Sequence, residues 1–392
     1  MKVLIWGGDS WANQGDDAIL AGTVAALRSV DPHVDITVAS ERPERTAGRH
    51  GVAVARRVGL GLLPALWRAD CVLWGGGQML QNESSKPFLW FHLGFISLAL
   101  ALQKPVMGYA QGAGEISGRF NRWWAGRVLD ALPAVTVRDA RSAERLGRLS
   151  RRPVQVTADP SFFLDEAPPE EADRALRAAG VMRPFIAIAV RRWGHYKGGW
   201  LPVRWRGWTP DDTERHHRFC DAVAAAADGA VERWGVDVLL VAMCPGGDQG
   251  DDEVAADIAC RMRHGAAVRF LPAWLPAPAL KAVLGRAELV VAMRTHAAML
   301  AAGAGAPVVS LSYQGKGQAL MQRLGLPGYV LPVEAADPVR LERLISLGWS
   351  TRSLIRSQTA AALPELRRLA RANAGIALGM RERCASAAAT AR

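Results

Sequence analysis

Lysine is nearly missing from this chain. Six lysines stand among 48 Lys and Arg residues, so arginine carries almost all of a formal net charge of +11. An arginine bias beside abundant alanine and glycine fits GC-rich coding as well as a polyanionic partner, and no nucleic-acid module accompanies it, which argues against nucleic acid. Eight arginines fall in residues 352–392 against Glu365 and Glu382, so the excess is partly localised. An anionic membrane surface or a lipid-linked acidic substrate is the alternative partner for that charge. Cysteine is sparse: Cys71, Cys220, Cys244, Cys260 and Cys384 are scattered and never form CxxC, which excludes a disulfide framework and a thiolate zinc site. His216 and His217 lie near Cys220 without further ligands in sequence, so they read as surface residues and no metal is expected. Long apolar runs are absent too. The most apolar segment, residues 88–103, is interrupted by His92 and falls short of the roughly 20 residues of a membrane span, so it reads as a buried helix. The start, MKVLIWGGD, lacks the apolar core and cleavage site of a secretory signal, and a cytoplasmic protein is expected, at the inner membrane face if lipid is the partner. No Walker A or GxGxxG phrase is convincing, which lowers ATP and nicotinamide enzymes; heptads and solenoid repeats are also missing.

What is present is an ordinary globular composition, 50% hydrophobic and 22% charged, over 392 residues, a length that suggests two domains. Short β-rich runs alternate with helical patterns. Strands are expected near residues 3–6, 35–39, 71–74, 105–109, 134–138 and 154–158, then from Phe185, Val236, Ala267, Leu289 and Pro307. An acidic, proline-bearing phrase at 165–184 reads as a hinge with a short helix. The expected fold class is α/β: two Rossmann-like domains facing a central cleft, over residues 1–170 and 171–335, with a helical segment 336–392 packing back across the lobes.

In doubly wound sheets ligands bind beyond the carboxyl ends of strands. Several unusual phrases sit there. NQGDDAIL follows the first strand, and helix capping explains one of its acids better than it explains Asn13, Gly15 and both Asp16 and Asp17. WGGGQ follows the third strand and GYAQGAGE the fourth, with glycines that admit a ligand close to the backbone. In the second half, strands end on Arg191 and Arg192, and on Arg294 with His296 two residues later. Guanidinium forks beside helix N-termini suit a small anion bearing phosphate, carboxylate or both, and His296 is a candidate proton carrier. Ser312, Tyr313 and Lys316 follow another strand, where Lys316 would add positive charge.

Taken in order, these phrases resemble the polysaccharide pyruvyl transferase family. The resemblance rests on Asn13, Gly15, Asp16, Asp17 and Ala18; on Gly75, Gly76 and Gly77; on Tyr109, Ala110, Gln111 and Gly112; on Val137, Arg138, Asp139 and Ser142; and on Ala158, Asp159, Pro160, Ser161 and Phe162. Its most specific part is Arg294, Thr295, His296 and Ala297, followed by Ser312, Tyr313 and Lys316. The resemblance implies a glycosyltransferase-B-like arrangement, phosphoenolpyruvate as donor without a further cofactor, and a pyruvate ketal on a saccharide as product. It implies that Arg191 and Arg294 hold the donor and that His296 is catalytic. Lys316 and Ser312 are expected beside the donor, and Asn13, Gly15, Gly76, Gly77, Gln111 and Asp159 on the acceptor side or in the cleft. Thr295 departs from the family's usual leucine, and a basic, tryptophan-rich phrase at 195–208 looks like an insert.

A mechanism follows from these residue types. Ketal formation needs a proton on the methylene carbon of phosphoenolpyruvate. His296 is expected to supply it, while Arg191 and Arg294 hold the anion and Asp16 or Asp17 faces the acceptor hydroxyls. A glycosyltransferase using a nucleotide sugar is the main alternative, favoured by Glu334 and Glu342 at a spacing seen in such enzymes. A non-catalytic binding protein on the same fold is the third. The acceptor, lipid-linked, polymeric or a small glycoside, stays open.

Overall fold

The computed structural model describes residues 1–7, 13–83, 85–193, 208–246, 250–271, 274–313 and 315–380. Of the tryptophan-rich phrase only Trp208 is included; the rest lies outside the described residues. The first lobe begins β1 (Lys2–Trp6), α1 (Gln14–Val30), β2 (Asp35–Ser40), α2 (Pro43–His50), β3 (Ala53–Arg56), α3 (Leu62–Arg68) and β4 (Cys71–Gly75). It continues α4 (Lys86–Ala101), β5 (Val106–Gln111), α5 (Arg119–Ala131), β6 (Ala134–Val137), α6 (Ala140–Gly147) and β7 (Gln155–Val156). Helix α7 (Pro169–Ala178) leads into β8 (Phe185–Ala189), α8 (Pro210–Trp234), β9 (Asp237–Leu240), α9 (Asp251–Arg261), β10 (Val268–Phe270) and α10 (Ala277–Gly285). Then come β11 (Leu289–Ala292), α11 (Thr295–Gly303), β12 (Val308–Ser312), α12 (Lys316–Arg323), β13 (Val330–Pro332), α13 (Pro338–Ser350) and α14 (Arg352–Leu378).

Two parallel sheets result, in the orders β3-β2-β1-β4-β5-β6-β7 and β10-β9-β8-β11-β12-β13. Runs such as CVLWG and FIAIA are buried along their whole length, because helices cover both faces of a parallel sheet. Strand order reverses between β1 and β4 in one sheet and between β8 and β11 in the other. Those are the switch points where loops diverge and leave a crevice. The phrases after β1, β4, β8 and β11 lie at these switch points, while GYAQGAGE and the Ser312–Lys316 phrase follow the adjacent strands β5 and β12.

The lobes share a core. Ala18 of α1 packs in one cluster with Ala297 and Ala298 of α11, and a Cβ on Gly22 would lie 2.1 Å from the Pro160 carbonyl oxygen. Helix α14 contributes Leu366 and Ala370 to that cluster, then Ala374 and Ala377 to the core under α1. Asn373 of α14 donates to the Ala158 carbonyl at 3.0 Å and accepts from the Thr157 hydroxyl at 2.7 Å.

Three details differ from the sequence reading. Strands β3 and β13 are additional; they are edge strands of four and three residues, too short to register as apolar runs. Residues 88–103 do form a helix, but only one stripe of it, Leu89, His92, Leu93, Ile96 and Ala99, is buried. Phe91, Leu98 and Leu102 face outward, since a helix apolar all round can meet the sheet on only one side.

Candidate active site in the cleft between the lobes

Asn13 caps α1, its side chain accepting the Gly15 N–H at 2.9 Å. Gln14 reaches across to the second lobe. Its backbone N–H donates to Met243 at 2.8 Å, its Nε2 to Ala242 at 2.7 Å, and its Oε1 accepts from Leu275 at 3.1 Å. Gly15 lies flat against His296: a Cβ there would stand 2.3 Å from the imidazole Nδ1. No other residue fits without displacing the ring. Asp16 lines the cleft, whereas Asp17 turns away to His50 Nε2 at 3.0 Å and Arg49 at 3.6 Å. The two adjacent acids thus have separate tasks, and Asp17 braces α2 rather than facing the cleft.

His296 sits in the first turn of α11, its Nε2 3.4 Å from Arg138 Nη1 and 3.7 Å from Asp159 Oδ2. Arg138 also donates to Asp159 at 2.8 Å. Burial alone would raise the Asp159 carboxyl, but His296 and Arg138 outweigh it and hold the group well below the usual carboxylate range. Asp159 is 1% exposed, so it stands behind the imidazole instead of on the acceptor wall. Arg138 is visible in sequence as part of VRD but carries no role there; it follows β6 just as Arg191 and Arg294 follow their strands, and the same rule reaches it. Gly112 leaves it room, since a Cβ at that position would lie only 3.0 Å from Arg138 Nη2.

Arg294 donates through Nε to Asp251 Oδ2 at 2.8 Å and through Nη2 to Asp251 Oδ1. Burial would lower this guanidinium; the buried Asp251 carboxylate overrides that and raises it. Arg191 donates to the Tyr313 hydroxyl at 3.2 Å and lies 5.2 Å from its ring centre. Burial lowers Arg191, and neighbouring Arg294 lowers it further. Lys316, at the start of α12 and 5.9 Å from the same ring, is lowered by burial while Tyr313 opposes the shift. Burial would raise the Tyr313 phenol, yet Arg191, Lys316 and Arg294 pull it down to about 8. Sequence reasoning gives neither Tyr313 nor Asp251 a part of its own. Asp251 lies 43 residues from Arg294, on another helix, with no local pattern to mark it.

Other expected residues take supporting places. Gly77 lines the cleft, while Gly76, at φ +93°, lines a small void under β1 and β4. Gln111 is fully buried and donates to the Trp74 carbonyl, and Ser312 accepts from Gln318 N–H at 3.3 Å at the start of α12. Gln111 thus ties β5 to β4, and Ser312 ties the end of β12 to α12. Glu342 pairs with Arg233 at 2.9 Å on the outside of the second lobe, and neither it nor Glu334 lines the cleft. His217 is exposed as expected, but His216 is buried, with Cys220 Sγ 3.6 Å and Asp257 3.7 Å from its Nε2. These donors tie α8 to α9, and Asp257 is also held by Arg261 at 3.2 Å.

The assembled cleft has a volume of about 380 Å³, within the range of small-molecule sites. Arg57, Arg138, Arg191, Arg294 and Lys316 line it against Asp16 and Glu41. A recess of about 210 Å³ opens from it at Gln78, Arg138 and Lys316, walled by Arg141 and Arg145 together with Glu83, Glu115 and Asp139. Cations therefore outnumber carboxylates along the cleft, and the imidazoles of His92 and His296 also line it.

Two Rossmann-like lobes around one cleft define a glycosyltransferase-B-like protein, and solved structures of that kind are similar over nearly the whole chain. The UDP-GlcNAc 2-epimerase of Neisseria meningitidis, bound to UDP-GlcNAc, has a TM-score of 0.59 and 10% identity, covering 96% of this chain and 100% of that one. Sucrose-phosphate synthase from Thermosynechococcus elongatus has a TM-score of 0.58 and 13% identity, covering 99% of each chain. A glycosyltransferase from Rickettsia africae has a TM-score of 0.57 and 10% identity, covering 96% and 97%. At such identities the likeness is one of fold. The sequence itself decides the family: the polysaccharide pyruvyl transferase profile matches residues 13–315, and the chain belongs to that family.

Proposed function

We propose that the protein transfers the enolpyruvyl group of phosphoenolpyruvate onto two hydroxyls of a saccharide, giving a pyruvate ketal and phosphate. The observation that carries this reading is the cationic cleft, in which Arg138, Arg191, Arg294 and Lys316 converge beside His296 with Asp16 across from them. Phosphoenolpyruvate places a phosphate and a carboxylate on one three-carbon skeleton, and convergent guanidinium and ammonium groups suit both. His296 protonates the methylene carbon, leaving an oxocarbenium-like centre at the adjacent carbon. One acceptor hydroxyl adds there and passes its proton to Asp16. The carbon–oxygen bond to phosphate then breaks, Arg191 and Lys316 stabilise the departing anion, and the second hydroxyl closes the ring as its proton leaves with phosphate. No cofactor enters this scheme. The cleft exceeds what a three-carbon ester fills, which leaves space for a sugar. The setting is cytoplasmic on this reading, since phosphoenolpyruvate is a metabolite of that compartment. Among the described residues no helix is long and apolar enough to cross a membrane.

Calorimetric titration of the wild type and Arg191→Ala with phosphoenolpyruvate, and separately with UDP-GlcNAc, tests the donor. Saturable phosphoenolpyruvate binding, weakened at least about 100-fold in the variant, is expected. Binding of the nucleotide sugar alone would transfer the protein to glycosyl transfer, and binding of neither would leave a non-catalytic protein on this fold.

A further inference from the structure

Helix α4 has no polar side. Beyond Lys86 its sequence, PFLWFHLGFISLALA, carries only His92 and Ser97 as polar side chains, and it is exposed along Phe91, Leu98 and the following Leu102 at 43%, 44% and 36%. A surface helix of a soluble lobe ordinarily places charges there. Its neighbours continue the pattern: α3 exposes Trp67, and α5 exposes Phe120 and Trp123. The three helices are joined into one face. Lys104 donates to the carbonyls of Trp67 at 2.5 Å and Ala69 at 3.0 Å, Trp90 to Asn121 at 2.8 Å, and Trp124 to Ser97 at 3.0 Å. Contiguous apolar exposure of this kind marks an interaction surface.

Its charge is predominantly basic: residues 56–69, 86–104 and 117–129 contain eight Lys and Arg and no Asp or Glu, although Asp70, Glu115 and Asp130 lie just outside these spans and Arg57 is paired with Glu41. Arg56, Arg68, Arg119, Arg122 and Arg127 among them are exposed. Two copies of such a face would repel each other, so self-association does not cover it. We propose that the α3–α4–α5 face docks on an anionic lipid bilayer, with its tryptophans and phenylalanines at the interface and its arginines against lipid phosphates. The same helix forms a wall of the cleft through Phe88 and His92, so docking brings the cleft to the bilayer. On the saccharide-transfer reading above, and resting on it, the acceptor is then a lipid-linked saccharide.

Co-sedimentation with phosphatidylglycerol–phosphatidylcholine vesicles, beside pure phosphatidylcholine vesicles, tests the docking. The wild type is expected to sediment with the anionic vesicles only, and less at high salt. The triple variant Trp67→Ser, Phe120→Ser, Trp123→Ser and the double variant Arg68→Glu, Arg119→Glu should each bind at least about ten-fold more weakly, with melting temperature and phosphoenolpyruvate affinity unchanged. Absence of wild-type binding overturns the proposal, as does equal binding by the triple variant. So does a wild-type dimer in ultracentrifugation that the triple variant dissolves. Vesicle binding is read without substrate, so failure of the donor assay leaves it standing and its failure leaves the donor reading standing.

Discussion

At the scale of single residues, Tyr313 is a cleft group whose ionisation falls in an accessible pH range. Its phenol is pulled to about 8 by Arg191, Lys316 and Arg294 against the opposing effect of burial. As pH rises through 8 the phenolate forms inside a cluster of cations and cancels part of the charge that an anionic donor would meet. Phosphoenolpyruvate affinity, measured by calorimetry between pH 7 and about pH 9.5, should therefore fall above about 8, and Tyr313→Phe should keep its affinity to higher pH. The fold responds in the opposite sense. A phenol depressed below its ordinary value of about 10 contributes stability that is fully present above 10 and is lost as pH falls through 8. Chemical denaturation across that interval should show the wild type gaining stability with pH relative to Tyr313→Phe. An identical alkaline limb in both proteins would separate Tyr313 from the anion site. The sequence shows Tyr313 as a residue after a strand and as part of a family phrase but does not show its ionisation, because most of what perturbs it arrives from other strand ends.

Elements explain both what the sequence discloses and what it conceals. Parallel strands bury both faces and read as apolar runs, so most of them, and the phrases at their ends, are visible directly. Edge strands β3 and β13 are not, since runs of four and three residues are too short to stand out. Arg294 and His296 are visible for the same reason as the strands, being joined to β11 in sequence. Asp251 is hidden because it comes from the first residue of α9, and Asp17 misleads because a helix turns adjacent residues about 100° apart. The Asp251–Arg294 pair gives α9 a definite task. Asp251→Ala should strand a buried guanidinium and cost about 3–5 kcal/mol in thermal or denaturant unfolding, along with donor affinity. Adding Arg294→Met should restore much of the stability and none of the binding. A single variant as stable as wild type would mean that the pair is not what holds Arg294.

At the scale of the whole molecule, two lobes and a cleft follow from the repeated alternation of runs and helices, but the way the lobes lock together does not. The lock depends on a few polar groups that cross the boundary. Gln14 makes three such bonds while 1% exposed, and Arg323 of α12 donates to the Thr157 carbonyl at 2.6 Å and to that of Arg138. Gln14 reads in sequence as an ordinary residue between a cap and a glycine, because its partners at Ala242 and Leu275 lie 228 and 261 residues away. Gln14→Ala would leave the Ala242 carbonyl and Leu275 N–H without this side chain, at a cost of about 1–3 kcal/mol for each group that stays dry. It would also free Gly15 to drift from the His296 ring. The expected result is a lower melting temperature together with a fall in kcat that exceeds any loss of phosphoenolpyruvate affinity, since the donor cations sit mostly on the second lobe while the imidazole is positioned by both. Equal losses in kcat and affinity would place the effect in donor binding instead, and unchanged kcat would show that the lobes keep their register without Gln14.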